Sequence, residues 1–500
     1  MQETSRRDWV LTALVAVGVI LRLRQFLFAR SMWLDESWFA NELMASPLID
    51  LLTQTQRYVD PVGYVIFTKL GVDVLGPTEF AFRWIALVAG IASIVGSALL
   101  ARRVFKTMVG QATFTGLVAL APVLVYYSNE AQQYALDILA TVLVLLVFVA
   151  FEDWRRGFAS LVVVGVVVPW FSYSSVFVLF GVGFALALRW LKERSYRKCA
   201  ILGSAWGLSA LVMLVHARSI TRTEFLEDFW TTGFAPFPIA SLADLRWYPE
   251  SVAGIVEAAF FIERIVPIVT VPSLAAWFIL ALIVVGAVLL ARRRPWLALA
   301  LGAMLVSGLV ISGLGLYPFA SRPGLFMVPL AFLLAVEPID WATEQRSMAW
   351  RGPAALVALA LLATAAVPSA RSFVDPPNPY DMKGALSFVV DNGEPGDWLI
   401  VHGWSARPYT FYRPKYDLEP FMVEEMSRTF DAEEFLAEAG PDSVSGRTWF
   451  VFTHRQRQAE QFVDQLAELA PLLERSGDGS YLVALFDLSA LGEMGQTEDR

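Results

Sequence analysis

From residue 9 to residue 369 the chain repeats one pattern: an apolar run about as long as a bilayer is thick, then a short polar joint. A helix crosses the hydrocarbon core with about 20 apolar residues, and only helices or closed barrels satisfy every backbone polar group inside lipid. The runs fall at roughly 9–28, 80–101, 112–127, 133–151, 158–188, 199–217, 271–291, 296–316, 323–338 and 353–369. The stretch 158–188 exceeds one crossing and carries Pro169, which interrupts a helix interior, so it reads as two short crossings. That makes about eleven crossings. The segment 62–76, "VGYVIFTKLGVDVLG", is short and carries Lys69 and Asp73, and it reads as a re-entrant or interfacial helix.

Composition agrees. The chain is 56% hydrophobic and 17% charged, against about 45–50% and about 25% in soluble domains. Beyond residue 370 the composition becomes ordinary. The expected architecture is therefore a polytopic α-helical membrane domain over 1–370 and an α/β domain over 371–500. A formal net charge of −8 argues against a nucleic-acid partner. The single cysteine, Cys199, excludes an intramolecular disulfide. The first apolar run lacks a small-residue cleavage site and reads as a retained anchor.

Basic joints set the expected direction. Arg6 and Arg7 precede the first run, and "ARRVFK" (101–106), "EDWRR" (152–156), "RWLKERSYRK" (189–198) and "ARRRP" (291–295) follow at alternate joints. Positive joints prefer the cytoplasm. On that rule the N-terminus is cytoplasmic, and the loop 29–61, the turn 128–132, the loop 218–270 and the C-terminal domain are extracytoplasmic. Counting 62–76 as a crossing would place "ARRVFK" outside. The expected location is a multi-pass protein of the inner (plasma) membrane.

In the outer domain "MKGALSFVVDNG" reads as a helix closed by Gly393. "DWLIVH" (397–402), "RTWFVFT" (447–453) and "YLVALFDL" (481–488) read as strands, with helices near 431–439 and 455–474. The alternation predicts a small α/β layer with a partly parallel sheet. "GDGS" (477–480) precedes a strand, so it is a turn and not a phosphate loop. His402 and His454 end two strands and read as surface or internally satisfied histidines. Trp404, Tyr409, Phe411 and Tyr412 can serve as sugar-stacking rings or as core.

Three polar clusters fall on the expected outer side. In "SMWLDESWFANEL" (31–43) Asp35 and Glu36 stand between Trp33 and Trp38. They read either as solvated acids or as a carboxylate shielded by indoles, a competent general base. The segment 57–84 holds Arg57, Asp60, Lys69 and Arg83; for Arg83 the readings are snorkelling or phosphate binding. "YYSNEAQQYALD" (126–137) holds Asn129, Glu130 and Gln132 in a turn, with Asp137 one turn into the next run, where an ionisable group is a functional candidate.

"WLDES", "DPVGYVIFTKL…GPTEFAFRW" and "APVLVYYSNEAQQYALD" occur in the order and at the spacing of the GT-C membrane glycosyltransferases. The chain resembles a bacterial member of glycosyltransferase family 39, which holds protein O-mannosyltransferases and lipid A aminoarabinose transferases. The likeness covers roughly residues 9–190, and 379–414 resembles the C-terminal domain of bacterial relatives. The resemblance implies a polyprenyl-phosphate sugar donor, a hydroxyl-bearing acceptor (protein, lipid or polysaccharide), and inverting transfer on the outer face. It places the catalytic base at Asp35 with Glu36 as its acidic neighbour. It matches Arg83 to the arginine that opens the next span, making Arg83, Arg57 and Lys69 the expected donor-phosphate cations. Asp60, Tyr64, Asn129, Glu130, Gln132, Tyr134 and Asp137 are the expected substrate-pocket residues. Many relatives carry arginine where this chain has Gln132, and the family's "PPLYY" is "PVGYV" here. No cofactor is implied, with room for a divalent cation at Asp35 and Glu36. A transporter or flippase of lipid-linked glycans, or a non-catalytic envelope-assembly protein, are the rival readings of such a chain.

Overall fold

A computed structural model describes residues 2–54, 60–154, 157–220, 231–261, 273–319, 322–439 and 446–489. Arg57 lies outside the described residues, as do Arg222 and Arg264 of the loop 218–270. The chain divides into two compact units, residues 1–28 with 48–375, and residues 29–47 with 376–500.

The first unit is helical: α1 (Gln2–Phe28), then, after the excursion of 29–47 into the other unit, α3 (Leu48–Thr53), α4 (Val62–Leu75), α5 (Glu79–Val104), α6 (Met108–Leu120), α7 (Pro122–Tyr127), α8 (Tyr134–Trp154), α9 (Phe158–Val167), α10 (Ser175–Lys192) and α11 (Tyr196–Ile220). Helices Leu242–Phe261, Leu274–Arg293, Pro295–Gly313, Val328–Glu344 and Met348–Val374 follow. Among the described residues nine helices are long and apolar enough to cross a membrane, and Met108–Leu120 and Phe158–Trp170 are two shorter apolar helices. Together they account for the eleven crossings expected. The expected run 112–127 is split because Pro122 opens a new helix after Ala121. The long run 158–188 divides at a 3-10 turn, Val168–Trp170, that contains Pro169. The segment 62–76 forms only the 14-residue α4.

Charge settles at one end of this unit. Asp340, 0% exposed, accepts from Thr107 N (2.8 Å) and Thr107 Oγ1 (2.7 Å), and from Lys106 N and Arg293 Nη1 (3.2 and 3.1 Å). Arg293 also meets Glu337 (3.1 Å) and Glu344, and Arg294 Nη2 donates to Arg103 O (2.6 Å). The basic joints 101–106 and 291–295 thus lie together. Glu152 and Arg189 (3.5 Å) bring the joints 152–156 and 189–198 together as well. A buried acid is tolerable here because each carboxylate is paired and hydrogen-bonded. A further buried charge, Arg22 of α1, donates to Val118 O (3.0 Å) and Ala119 O (2.8 Å), carbonyls of the last turn of α6, and to Ser128 Oγ (3.0 Å).

The second unit holds α2 (Leu34–Ala45) and a five-stranded sheet, β1 (Trp398–Val401), β2 (Met422–Glu425), β3 (Arg447–Phe452), β4 (Leu472–Gly477) and β5 (Leu482–Asp487), in the order β2-β1-β3-β5-β4. The pairs β1–β2 and β1–β3 are parallel; β3–β5 and β4–β5 are antiparallel. Helices Met382–Asn392, Ala406–Tyr412, Ala432–Ala439 and Gln456–Leu469 accompany it. The expected partly parallel α/β layer is present. Ile400, Phe450, Phe452, Phe462, Val463 and Phe486 centre its core. The expected helix 455–474 ends at Leu469, and Leu472–Gly477 is instead a strand. Two strands lacked a sequence signal: β2 and β4 are sheet edges with exposed side chains, so neither shows the apolar alternation of a half-buried strand. Asp397, 3% exposed, ties the central strands by accepting from Arg447 Nε (2.9 Å) and Trp449 Nε1 (3.0 Å).

Candidate functional site

The acid pair belongs to the second unit. Trp33 is extended (φ −88°, ψ −178°) and caps α2, so Asp35 and Glu36 occupy its first turn. Carboxylates are favoured there by the helix N-terminus. Glu36 Oε2 accepts from Trp33 N (3.4 Å), the return arm of a capping box, and Glu36 is 0% exposed. Asp35, one position earlier, is only half-buried. The two acids therefore differ: Glu36 is sealed into the helix start, and Asp35 keeps access to solvent.

The turn before α2 is held by its own unit. Ser31 Oγ donates to Asp381 Oδ1 (2.6 Å), and Met32 N donates to Tyr412 Oη (2.9 Å). The Trp33 ring stacks on Tyr380 (5.8 Å between centroids), and Tyr380 stacks on His454 (4.3 Å). Along α2, Asn41 Nδ2 donates to Arg407 O (3.0 Å), and the Arg407 guanidinium covers the Trp38 ring at 4.6 Å. Burial raises the Glu42 carboxyl above its ordinary range, offset in part by Arg407. Tyr409, Phe411 and Tyr412 are buried at 3% or less and serve as core; Trp404 is half-buried.

The other polar candidates lie in the first unit, at the end of the bundle away from the joined basic segments. Asn129, Glu130, Gln132, Tyr134 and Asp137 are all at least nine-tenths buried. Asn129 Nδ2 donates to Val125 O (3.0 Å), while its Oδ1 is buried with no hydrogen-bond partner among the described residues. Asp137 accepts from Ser172 Oγ (2.6 Å), and Tyr173 Oη donates to Asp60 O (3.0 Å). The turn 171–175, "FSYSS", thus gathers Asp60 and Asp137. Tyr64 is fully buried on α4. Phe171 fills the space a side chain at Gly63 would need.

Arg83 is 2% exposed, in the second turn of α5. Gly90, seven residues on and so on the same face of α5, lies directly against Ser128. Arg83 therefore stands on the face of α5 that meets the 128–133 turn. Lys69 makes an i,i+4 pair with Asp73 at 3.8 Å on α4, which leaves it a weaker candidate for a phosphate. Two buried arginines stand outside the expected set. Arg322 is 5% exposed, covers the Tyr134 ring at 5.9 Å, and acts electrostatically on Tyr127 together with Glu130. Its only sequence signal was an arginine inside an otherwise apolar joint, "YPFASRPGLF". Arg22 is the second, and its donors are occupied by the carbonyls of α6 and by Ser128. No group of three or more His, Cys, Asp or Glu that could hold a metal ion occurs among the described residues.

The fold is of the GT-C type, a polytopic helical domain with a small C-terminal α/β domain, and is similar to that of two solved structures. ArnT from Cupriavidus metallidurans bound to undecaprenyl phosphate aligns over 96% of this chain and 98% of its own, with TM-score 0.52 and 14% identity. The Archaeoglobus fulgidus oligosaccharyltransferase, solved in complex with Zn and sulfate, aligns over 96% of this chain and 73% of its own, with TM-score 0.50 and 12% identity. No family model matches the chain, and no curated relative matches it.

Proposed function

We propose that the protein transfers a sugar from a polyprenyl-phosphate donor to a hydroxyl-bearing acceptor on the extracytoplasmic side of the membrane. The observation that carries this reading is the fold, shared with a protein solved bound to undecaprenyl phosphate, together with a solvent-accessible acid beside a sealed one in the first turn of α2. Asp35 takes the proton of the acceptor hydroxyl. The acceptor oxygen then bonds the anomeric carbon as the bond from that carbon to the phosphate oxygen breaks, and its electron pair leaves on polyprenyl phosphate. One displacement inverts the anomeric centre. Glu36 holds the start of α2 and so positions Asp35. Arg83 and Arg322 are the cations for the leaving phosphate, whose charge grows in the transition state. A donor hydroxyl would satisfy the orphaned Asn129 Oδ1.

Purified protein in nanodiscs is incubated with labelled polyprenyl-phosphate sugars. Release or transfer of the sugar, abolished in Asp35→Asn, supports the reading. No turnover with any donor, beside bound but unreacted lipid, favours a lipid-glycan carrier instead.

A further inference from the structure

At the carboxyl ends of β1, β2 and β3, three loops meet: 402–405, 426–431 and 453–455. In open α/β sheets ligands bind at such strand ends, where neighbouring strands send their connections to opposite sides. Here the connection leaving β1 runs to one sheet edge, β2, and the one leaving β3 runs to the other, β4. The loops are locked together. Thr453 N donates to Ser405 Oγ (2.9 Å), and Gly403 N donates to Ser427 O (3.2 Å). A Cβ at Gly403 would come within 2.9 Å of the Arg428 side chain, so the glycine permits the close approach that sets Arg428. His402 is fully buried and its tautomer is fixed: Nδ1 accepts from Trp404 N (3.3 Å), so Nε2 carries the proton given to Thr429 O (2.9 Å).

On this frame stand two exposed guanidinium groups. Arg428 and Arg455 cover the Trp404 ring at 4.4 and 4.5 Å. Among the described residues neither is within 4.0 Å of a carboxylate oxygen. The neighbouring acids are engaged elsewhere: Asp431 Oδ1 accepts from Glu433 N and Glu434 N (3.0 Å each), and Glu434 accepts from Thr429 Oγ1. Arg455 holds φ +53°, an uncommon conformation for a residue with a side chain, and one concentrated at functional positions. Stacking on an indole fixes the plane of a guanidinium and leaves its N–H edge free to donate. Two such forks set against one indole, with no carboxylate oxygen within 4.0 Å among the described residues, match the charge of a dianionic phosphoryl group.

We propose that Trp404, Arg428 and Arg455 form a binding site for a phosphoryl group carried by the acceptor. This rests on the transferase reading above and extends it from a hydroxyl-bearing acceptor to one that also carries phosphate. The site is tied to the acid turn inside the same unit: His454, adjacent to Arg455, stacks on Tyr380, which stacks on Trp33 at the head of α2. Trp404, one of the four rings that the sequence offered as sugar-stacking surface or core, orients the arginines.

The test uses the full chain in nanodiscs. Hydrogen–deuterium exchange of peptides spanning 402–405, 426–430 and 453–457 is followed in phosphatidylcholine discs titrated with inorganic pyrophosphate, and in discs containing phosphatidylglycerol with no added anion. The expected result is protection of these peptides that weakens about tenfold or more in affinity in R428A/R455A. Protection by pyrophosphate indicates a water-borne acceptor; protection by the anionic discs alone indicates a membrane-anchored one. No protection in either arm, or protection unchanged in the double variant, overturns the proposal. The readout is binding, so a failed transfer assay and a failed anion site give separate results.

Discussion

Asp35 and Glu36 are adjacent acids that the structure separates by burial, and their substitutions should diverge. In Asp35→Asn the side chain keeps its size and position but cannot take a proton. Loss of a general base costs about 10²–10⁴ in turnover. The structural cost is small, because a half-exposed acid in a first turn contributes about 0.3–1 kcal/mol through the helix dipole. In Glu36→Gln the amide oxygen still accepts from Trp33 N, so the cap survives and turnover falls less than in Asp35→Asn. Glu36→Ala removes the capping arm and empties a sealed site. That should cost about 1–2 kcal/mol of stability in the second unit, with loss of activity following loss of fold. Turnover of a labelled polyprenyl-phosphate sugar is measured beside thermal unfolding of the same nanodisc preparations. Asp35→Asn turning over within about threefold of wild type, with normal unfolding, would refute the assignment. Glu36→Gln losing more activity than Asp35→Asn at equal stability would reverse the roles.

Arg83→Lys should raise the donor KM and lower turnover, and Arg83→Ala should do more, because an ammonium cannot grip two phosphate oxygens in one plane; wild-type kinetics for Arg83→Ala would remove it from the phosphate site. Arg322→Lys should behave in the same way, and unchanged kinetics there would leave it as packing for Tyr134. A reporter fused at residue 380 should be active only if it works outside the cytoplasm, and a cytoplasmic reporter active there would overturn the orientation. His402 is depressed from 6.5 to about 4, chiefly by burial, and Arg428 and Arg455 add to the effect. The unfolded chain therefore binds this proton more readily, and stability is full above about pH 6.5 and declines toward pH 4, by about 3 kcal/mol in all. Thermal unfolding followed by exchange in β1 and β3 should show that slope in wild type and not in His402→Gln; equal slopes would place the pH dependence elsewhere.

Apolar run length and joint charge identified the crossings, because a segment that must satisfy its backbone in lipid carries that requirement in its own composition. Proline marked one break, at Pro169, while the break at Pro122 inside the expected run 112–127 emerged only in the structure. The acid pair stood out as adjacent carboxylates between Trp33 and Trp38, but the helix it opens did not, because Trp33 is not a capping residue type and its side chain makes no cap bond. The core strands β1, β3 and β5 showed in their apolar residues, and the edge strands β2 and β4 did not, because an edge buries little. Tertiary structure alone decided the rest. It put 29–47 with the C-terminal unit and sealed Glu36 while leaving Asp35 open. It made Tyr409, Phe411 and Tyr412 core and gave Asp137 a serine partner. It also brought Arg322 to Tyr134 across 188 positions of sequence. These outcomes depend on which distant segment supplies the neighbour, and burial and partnership are properties of the pair that meets, which no single stretch of sequence contains.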